Sequence, residues 1–275
     1  MVKMKWTCGV HSVIGPPGTG KTRSLVDHCK EYIHLGYEPS DLVAVSFTRA
    51  AKVELRSRLT HETGLDGFYY VNTLHSLTAR LGGHGSFIKP DEGREIVESL
   101  MLPYSKEAED ESDIRMLYEE PEIGDAQVGN LVIEMDQYRR NALITMDEAI
   151  AEYADSYGVN IPKSIAEKYA SRYREIINSG RQDYTSCIEF AIQHNLVPSG
   201  RVVVVDEAQD LYPLHVAYVN QMSEQIGEVI LAFDDDQAIF TYASARPDWL
   251  LSIPGSRNQL GKTERFGKAI FDLAY

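Results

Sequence analysis

The chain has 275 residues, 43% of them hydrophobic, and a formal net charge of −14, which is length enough for a substantial core and for two domains or one domain with a large insertion. No apolar run approaches the roughly 20 residues of a bilayer span, and the opening MVKMKWTCGVHSVI has neither the apolar core nor the small-residue cleavage site of a secretory signal, so the expected location is the cytoplasm, with no membrane partner. Three cysteines, Cys8, Cys29 and Cys187, widely spaced and odd in number, suit a reducing compartment, argue against structural zinc and read as small buried side chains.

In chain order, SVIGPPGTGKTRSLVDHCKEYIHLG (12–36) predicts a short strand, a glycine-rich turn and a helix ending near Gly36. DLVAVSF (41–47) predicts a second buried strand, followed by a helix through about Leu59. That β-α-β-α order belongs to a parallel sheet covered by helices. From about Gly82 to Gly200 the pattern turns helical: AQVGNLVIEMDQYRRN, MDEAIAEYADSYG and SIAEKYASRYREIINSG each have helical length, the last with apolar groups at Ile165, Tyr169, Tyr173 and Ile176–Ile177. Strand-type runs return in RVVVVDEAQD (201–210) and EVILAFDDDQ (228–237). The expected architecture is an α/β domain interrupted by a helical insertion, without internal repeats or low-complexity tracts.

Charge follows the same division. Residues 84–198 carry 23 acids against 11 bases, leaving 18 against 16 elsewhere. The densest part, KEAEDESDIRMLYEEPEIGD (106–125), reads as a solvated surface, and it is also where a protein partner would meet an acidic face.

Gly15-Pro16-Pro17-Gly18-Thr19-Gly20-Lys21-Thr22 is a full match to GxxxxGK[ST], placed between a strand and a helix. Glycines let the backbone wrap a phosphate chain so that N–H groups and the helix N-terminus face its oxygens. Lys21 then reaches the β- and γ-phosphates, and the Thr22 hydroxyl can ligate Mg²⁺. The expected cofactors are ATP and Mg²⁺. In VVVVDEAQD, four valines run into Asp206 and Glu207. Two acids at a strand tip can be only a solvated strand end; beside a P-loop, Asp206 suits the magnesium shell and Glu207 suits the base that deprotonates the attacking water.

With these residues in view, the sequence resembles the superfamily 1 helicases of the UvrD/Rep/PcrA-like branch. DEAQD (206–210) resembles motif II, GPPGTGKTR (15–23) motif I, VAVSFTRAAKVELRSRL (43–59) motif Ia, VNTLHSLTARL (71–81) motif Ib, FDDDQAIFTYASA (233–245) motif III and LGKTERFGKAIFDLAY (260–275) motif IV. The resemblance implies a RecA-like P-loop domain 1A in two parts, 1–83 and 199–275, interrupted by a helical 1B-like insertion over 84–198. It implies that Gln237 senses the γ-phosphate, that Arg265 reaches it, and that Arg23 lies against the adenine. Phe47, Phe240 and Tyr242 fall where the family stacks rings on single-stranded bases, a mode that suits movement over any sequence. Thr48, Arg49 and His75 would sit near the sugar-phosphate track.

There are departures. Tyr242 is followed by Ala243 where the family has tryptophan then arginine, Glu264 precedes Arg265 where it has tyrosine, and none of the 14 residues before Gly15 is glutamine, so adenine lacks two of its usual readers. Motifs V and VI, carried in the family by a second RecA-like domain that adds an arginine, do not occur before Tyr275, so these residues alone are expected to bind ATP and turn it over slowly. The function expected is that of an ATP-dependent helicase or translocase acting on single-stranded DNA, RNA being the less favoured partner, with 3′–5′ polarity on resemblance alone. The alternative is a nucleotide-dependent DNA- or protein-binding module that never unwinds a duplex.

Overall fold

A computed structural model describes Trp6 and residues 9–82, 85–103, 128–234, 250 and 253–261. Gln237, Phe240, Tyr242, Arg265 and the acidic tract 106–125 lie outside these described residues. The chain divides into two compact units, Met1–Gly82 with Cys187–Tyr275, and Gly83–Ser186.

The first unit is built on a parallel six-stranded sheet. Its strands are β1 (Gly9–Ile14), β2 (Leu42–Ser46), β3 (Asn72–Thr73), β4 (Val202–Val205), β5 (Glu228–Phe233) and β6 (Ser256–Gln259), in spatial order β3-β2-β4-β5-β1-β6. The central strands are hydrophobic on consecutive residues because both sheet faces are covered. On one face Val43, Val45, Val203, Val205, Val229 and Leu231 pack with Leu77 of α3 (Leu74–Gly82), Ile188 and Ala191 of α8 (Tyr184–Gln193), and Leu214, Tyr218 and Met222 of α9 (Pro213–Gln225). On the other, Leu42, Ala44, Val202, Val204, Ile230 and Ala232 pack with Leu25 and Cys29 of α1 (Lys21–His34) and Leu55 and Leu59 of α2 (Arg49–Thr63). Two-residue alternation along each strand feeds the two cores in turn. The doubly covered α/β sheet expected from the sequence is thus observed.

Boundaries shift by a few residues. The first helix stops at His34, and Gly36 takes a φ of 91° just beyond it. The second runs to Thr63, four residues past the expected end, where Gly64 at φ 68° receives the chain. Cys29 and Cys187 are buried, and burial pushes the Cys29 thiol up to about 12.

The second unit contains α4 (Pro90–Ser99), α5 (Val128–Ala142), α6 (Met146–Tyr157) and α7 (Lys163–Asn178), around a core of Ile96, Val97, Leu131, Val132, Met135, Ala149, Tyr153, Ile161, Ala166 and Tyr169. Thr145 starts α6 with a reciprocal cap, its hydroxyl accepting from the Glu148 N–H while the Glu148 carboxylate accepts from the Thr145 N–H. Among the described residues no helix is long and apolar enough to cross a membrane.

Candidate functional site

Parallel strands deliver their chain ends to one edge of the sheet, so β1, β2, β4 and β5 all release polar segments there. The turn after β1 is pinned on two sides: the Gly15 N–H donates to the Phe233 carbonyl at 3.2 Å, and the Leu260 N–H donates to the Ile14 carbonyl at 2.7 Å. A Cβ at Gly15 would come within 2.7 Å of both the Leu260 carbonyl oxygen and Thr19 Oγ1, so this position tolerates no side chain. Gly20 caps α1 in the left-handed region at φ 90°, which L side chains avoid. Thr19 tightens the turn by donating its hydroxyl to the Pro16 carbonyl at 2.8 Å.

Lys21 opens α1 and is buried, with Nζ donating to the Gly15 carbonyl at 2.8 Å and to that of Pro16 at 3.4 Å. Its ammonium is therefore held in the bowl of the loop. Gly20 and Arg23 are exposed, while Pro16, Pro17, Gly18 and Thr22 are half-buried. The decisive contact comes from Thr22, whose Oγ1 donates to Asp206 Oδ2 at 3.0 Å across 184 residues of sequence. The loop and the acid pair, in separate parts of the chain, meet.

Asp206 follows β4 and is 4% exposed. Burial and then the neighbouring Glu207 push its carboxyl up to about 6, against the lowering effect of the Thr22 hydroxyl, the Glu207 N–H and Lys21. A buried carboxylate under this tension is a natural ligand for a cation, and with a hydroxyl already on it the pair fits a magnesium shell completed by phosphate oxygens and water.

Glu207 occupies the left-handed region at φ 53° and ψ 49°, a conformation that costs a residue with a Cβ about 1–2 kcal/mol. Three hydrogen bonds hold it there. Its N–H donates to Asp206 Oδ1 at 3.2 Å, its carbonyl accepts the Asp210 N–H at 3.1 Å, and its Oε2 accepts Gln209 Nε2 at 2.7 Å. Gln209, buried, accepts the Asp234 N–H through Oε1 at 3.2 Å, and so ties the end of β5 to the carboxylate of Glu207. Asp210 completes an acidic corner. Its carboxyl is pushed up to about 7 by burial and then by Glu207, and Oδ1 has no hydrogen-bond partner among the described residues.

Gln209, Asp210 and Asp234 have no role in the sequence reading. The first two lie inside the quoted DEAQD and Asp234 inside FDDDQ, but only the geometry separates a residue bonded to the Glu207 carboxylate from one that fills a motif.

The expected nucleic-acid contacts that are described gather further along the same edge. Phe47, half-buried, follows β2 and stands edge-on to Tyr212, ring centroids 5.9 Å apart. Thr48 caps α2 by accepting the Ala51 N–H at 3.1 Å, and Arg49 is exposed on the first turn. His75 lies on the first turn of α3, its ring 5.0 Å from that of His215. Phe240 and Tyr242 cannot be placed with them, nor Gln237 and Arg265 with the phosphate loop, since all four lie outside the described residues.

Comparison with known proteins points the same way. The family model described as UvrD/REP helicase N-terminal domain matches residues 2–256. The chain is 23% identical over 262 residues to a protein named putative ATP-dependent DNA helicase YjcD from Bacillus subtilis, covering 89% of this chain and 33% of that protein. It is 23% identical over 269 residues to DNA helicase II of Salmonella typhimurium, covering 89% of this chain and 35% of the relative. It is 22% identical over 268 residues to DNA helicase II of Escherichia coli, covering 89% and 34%. The chain thus spans about a third of the length of the curated relatives it matches.

Proposed function

The chain belongs to the UvrD/REP helicase N-terminal domain family, and we propose that it is the ATP-binding portion of an ATP-dependent DNA helicase or translocase that moves on single-stranded DNA in the cytoplasm. The observation that carries this reading is the 3.0 Å hydrogen bond from Thr22 to Asp206. It brings the glycine-rich loop and the acid pair together, the two halves that a Mg²⁺–nucleotide site requires.

In this reading the loop amides of residues 15–20 and Lys21 hold the triphosphate, while Thr22 and Asp206 hold Mg²⁺. The metal, when bound, neutralises charge on the phosphates. Glu207 takes a proton from the attacking water, and Gln209, bonded to its Oε2, keeps the carboxylate turned toward it. Burial matters here, because a low-dielectric surrounding strengthens each of these interactions relative to water. Gln237 and Arg265 act on the γ-phosphate by resemblance, and Arg23 lies at the nucleoside end. Phe47, Thr48, Arg49 and His75, with Phe240 and Tyr242, would track the DNA strand, and movement is 3′–5′. The units correspond to the family's 1A and 1B subdomains, and a second RecA-like domain supplies the remaining arginine.

The test is ATP binding and hydrolysis by the chain with and without single-stranded oligothymidine. Tight ATP binding with slow turnover is expected. Absence of ATP binding overturns the reading, and fast DNA-stimulated hydrolysis by these residues alone overturns the need for a second domain.

A further inference from the structure

Behind His75 stands a second histidine to which the motifs assign nothing. His215, on the first turn of α9, is 1% exposed. Its Nδ1 accepts the Tyr212 backbone N–H at 3.3 Å, and its Nε2 lies 3.3 Å from Nε2 of His75. The order of protons follows from the one donor whose identity is not in question. A backbone N–H can only donate, so His215 Nδ1 carries no hydrogen. Burial and then the adjacent His75 hold the pKa of His215 well below the ordinary value, so it is neutral and its single hydrogen sits on Nε2. That N–H points at His75 Nε2, which must accept. A ring nitrogen that accepts carries no hydrogen either, so a neutral His75 keeps its own on Nδ1.

We propose that His215 is a positioning residue that locks His75 in the Nδ1–H form and keeps it uncharged, so that this point on the strand path offers a neutral, directional donor in place of a cation. The inference rests on the reading that places His75 beside the phosphodiester backbone. The same imidazole also supports the stacking ring: Tyr212 lies on His215 with centroids 4.8 Å apart and planes 22° apart, and Phe47 stands edge-on to Tyr212. A single buried side chain therefore sets both a base-stacking surface and a backbone donor. Among the described residues, the titratable groups in ring contact with the pair include Tyr212 from the turn before α9; Phe47, from the end of β2, is uncharged. A neutral donor releases no counterion, so the strand would be held here without a salt-dependent grip.

The experiment uses the full chain labelled with ¹⁵N at histidine. In the wild type, His75 is expected as Nδ1–H and His215 as Nε2–H, with neither charging down to pH 6. In His215→Leu, His75 is expected to titrate near the ordinary value of about 6.5. Oligothymidine binding should then strengthen as pH falls through that value, and its log–log salt slope should steepen by about 0.7, the release expected for one added phosphate contact on a single strand. His215→Gln, whose amide accepts and donates with the same reach, should restore the wild-type spectrum and the flat pH profile. An Nε2–H form of His75 in the wild type overturns the proposal, as does a His215→Leu pH profile identical to that of the wild type. Should His215→Leu fail to fold, the wild-type tautomers and the glutamine variant decide. If oligothymidine does not bind at any pH, the nucleic-acid reading falls, while the spectrum still settles the tautomers.

Discussion

The two units bury charge in opposite ways. In the helical unit buried ions come with partners: Arg140, 4% exposed, donates to both oxygens of Asp183 at 2.6 and 3.1 Å, and Asp136 accepts from Arg139 at 2.7 Å; the half-buried Glu92 likewise takes a two-pronged bond from Arg181 at 2.5 Å. Burial alone would raise the Asp183 carboxyl, yet its bonds from Arg140 and Ser186 leave it below the usual range. In the sheet unit the buried acids crowd one another: Asp206 is pushed up to about 6 and Asp210 to about 7. Paired ions hold a fold together, whereas acids held near each other without a matching cation store a tension that a bound cation or a proton relieves. The first pattern marks architecture and the second marks a site.

That contrast can be broken most severely at Glu207. Replacing it with Gln keeps the shape but removes the carboxylate proposed as the base, so hydrolysis should fall by about 10²–10⁴-fold with ATP affinity retained. Unchanged single-turnover rates would remove Glu207 from the chemistry and with it the functional meaning of the acid cluster. On the architectural side, Arg140→Ala strands Asp183 in a buried position and should destabilise the helical unit by about 3 kcal/mol in thermal or denaturant unfolding, leaving ATP affinity unaltered. A loss of ATP affinity instead would show that the pair is not purely structural.

Glu134 is the exception that sharpens the comparison. It lies in the helical unit, yet burial alone raises its carboxyl from 4.5 to about 7. A folded-state value above the unfolded one means the native chain binds the proton more tightly, so the contribution of Glu134 to stability is fully present below about pH 4.5 and is lost as pH rises through about 7. Glu134→Gln should flatten that slope and raise stability at pH 8 by on the order of 2 kcal/mol. An unaltered pH profile would mean the carboxylate is solvated in solution. The smallest effect is expected at Gln209. Gln209→Leu unties the Glu207 carboxylate from β5, so kcat should fall about tenfold, or 1.4 kcal/mol, at constant KM. A rise in KM without a change in kcat would place Gln209 in nucleotide binding.

Much of the fold was legible before any coordinates. The central strands declare themselves by unbroken aliphatic runs such as VVVV, because burial on both faces forbids polar alternation. Helices α5, α6 and α7 were legible from length and period. Strand β6 was not: Ser256–Gln259 is polar and exposed throughout, and it pairs with β1 through its backbone and a His11–Ser256 side-chain bond, neither of which leaves an apolar pattern to read. Helix α9 was missed for the opposite reason, since it is buried on nearly every side and so shows no apolar stripe.

Within the site the division is similar. The amino-acid order alone determined the glycine-rich loop, because a turn that must pass through a φ of 90° and leave no room for a Cβ at Gly15 admits glycine and little else. It also determined that two acids cap a buried strand. Only the tertiary structure decided that Thr22 meets Asp206, that Gln209 ties Glu207 to the end of β5, and that His215 stands behind His75. Those contacts join residues up to 184 positions apart. A hydrogen bond between distant segments needs only one donor and one acceptor, types found throughout the chain, and it is the parallel sheet, by releasing its strands at one edge, that chooses which of them meet.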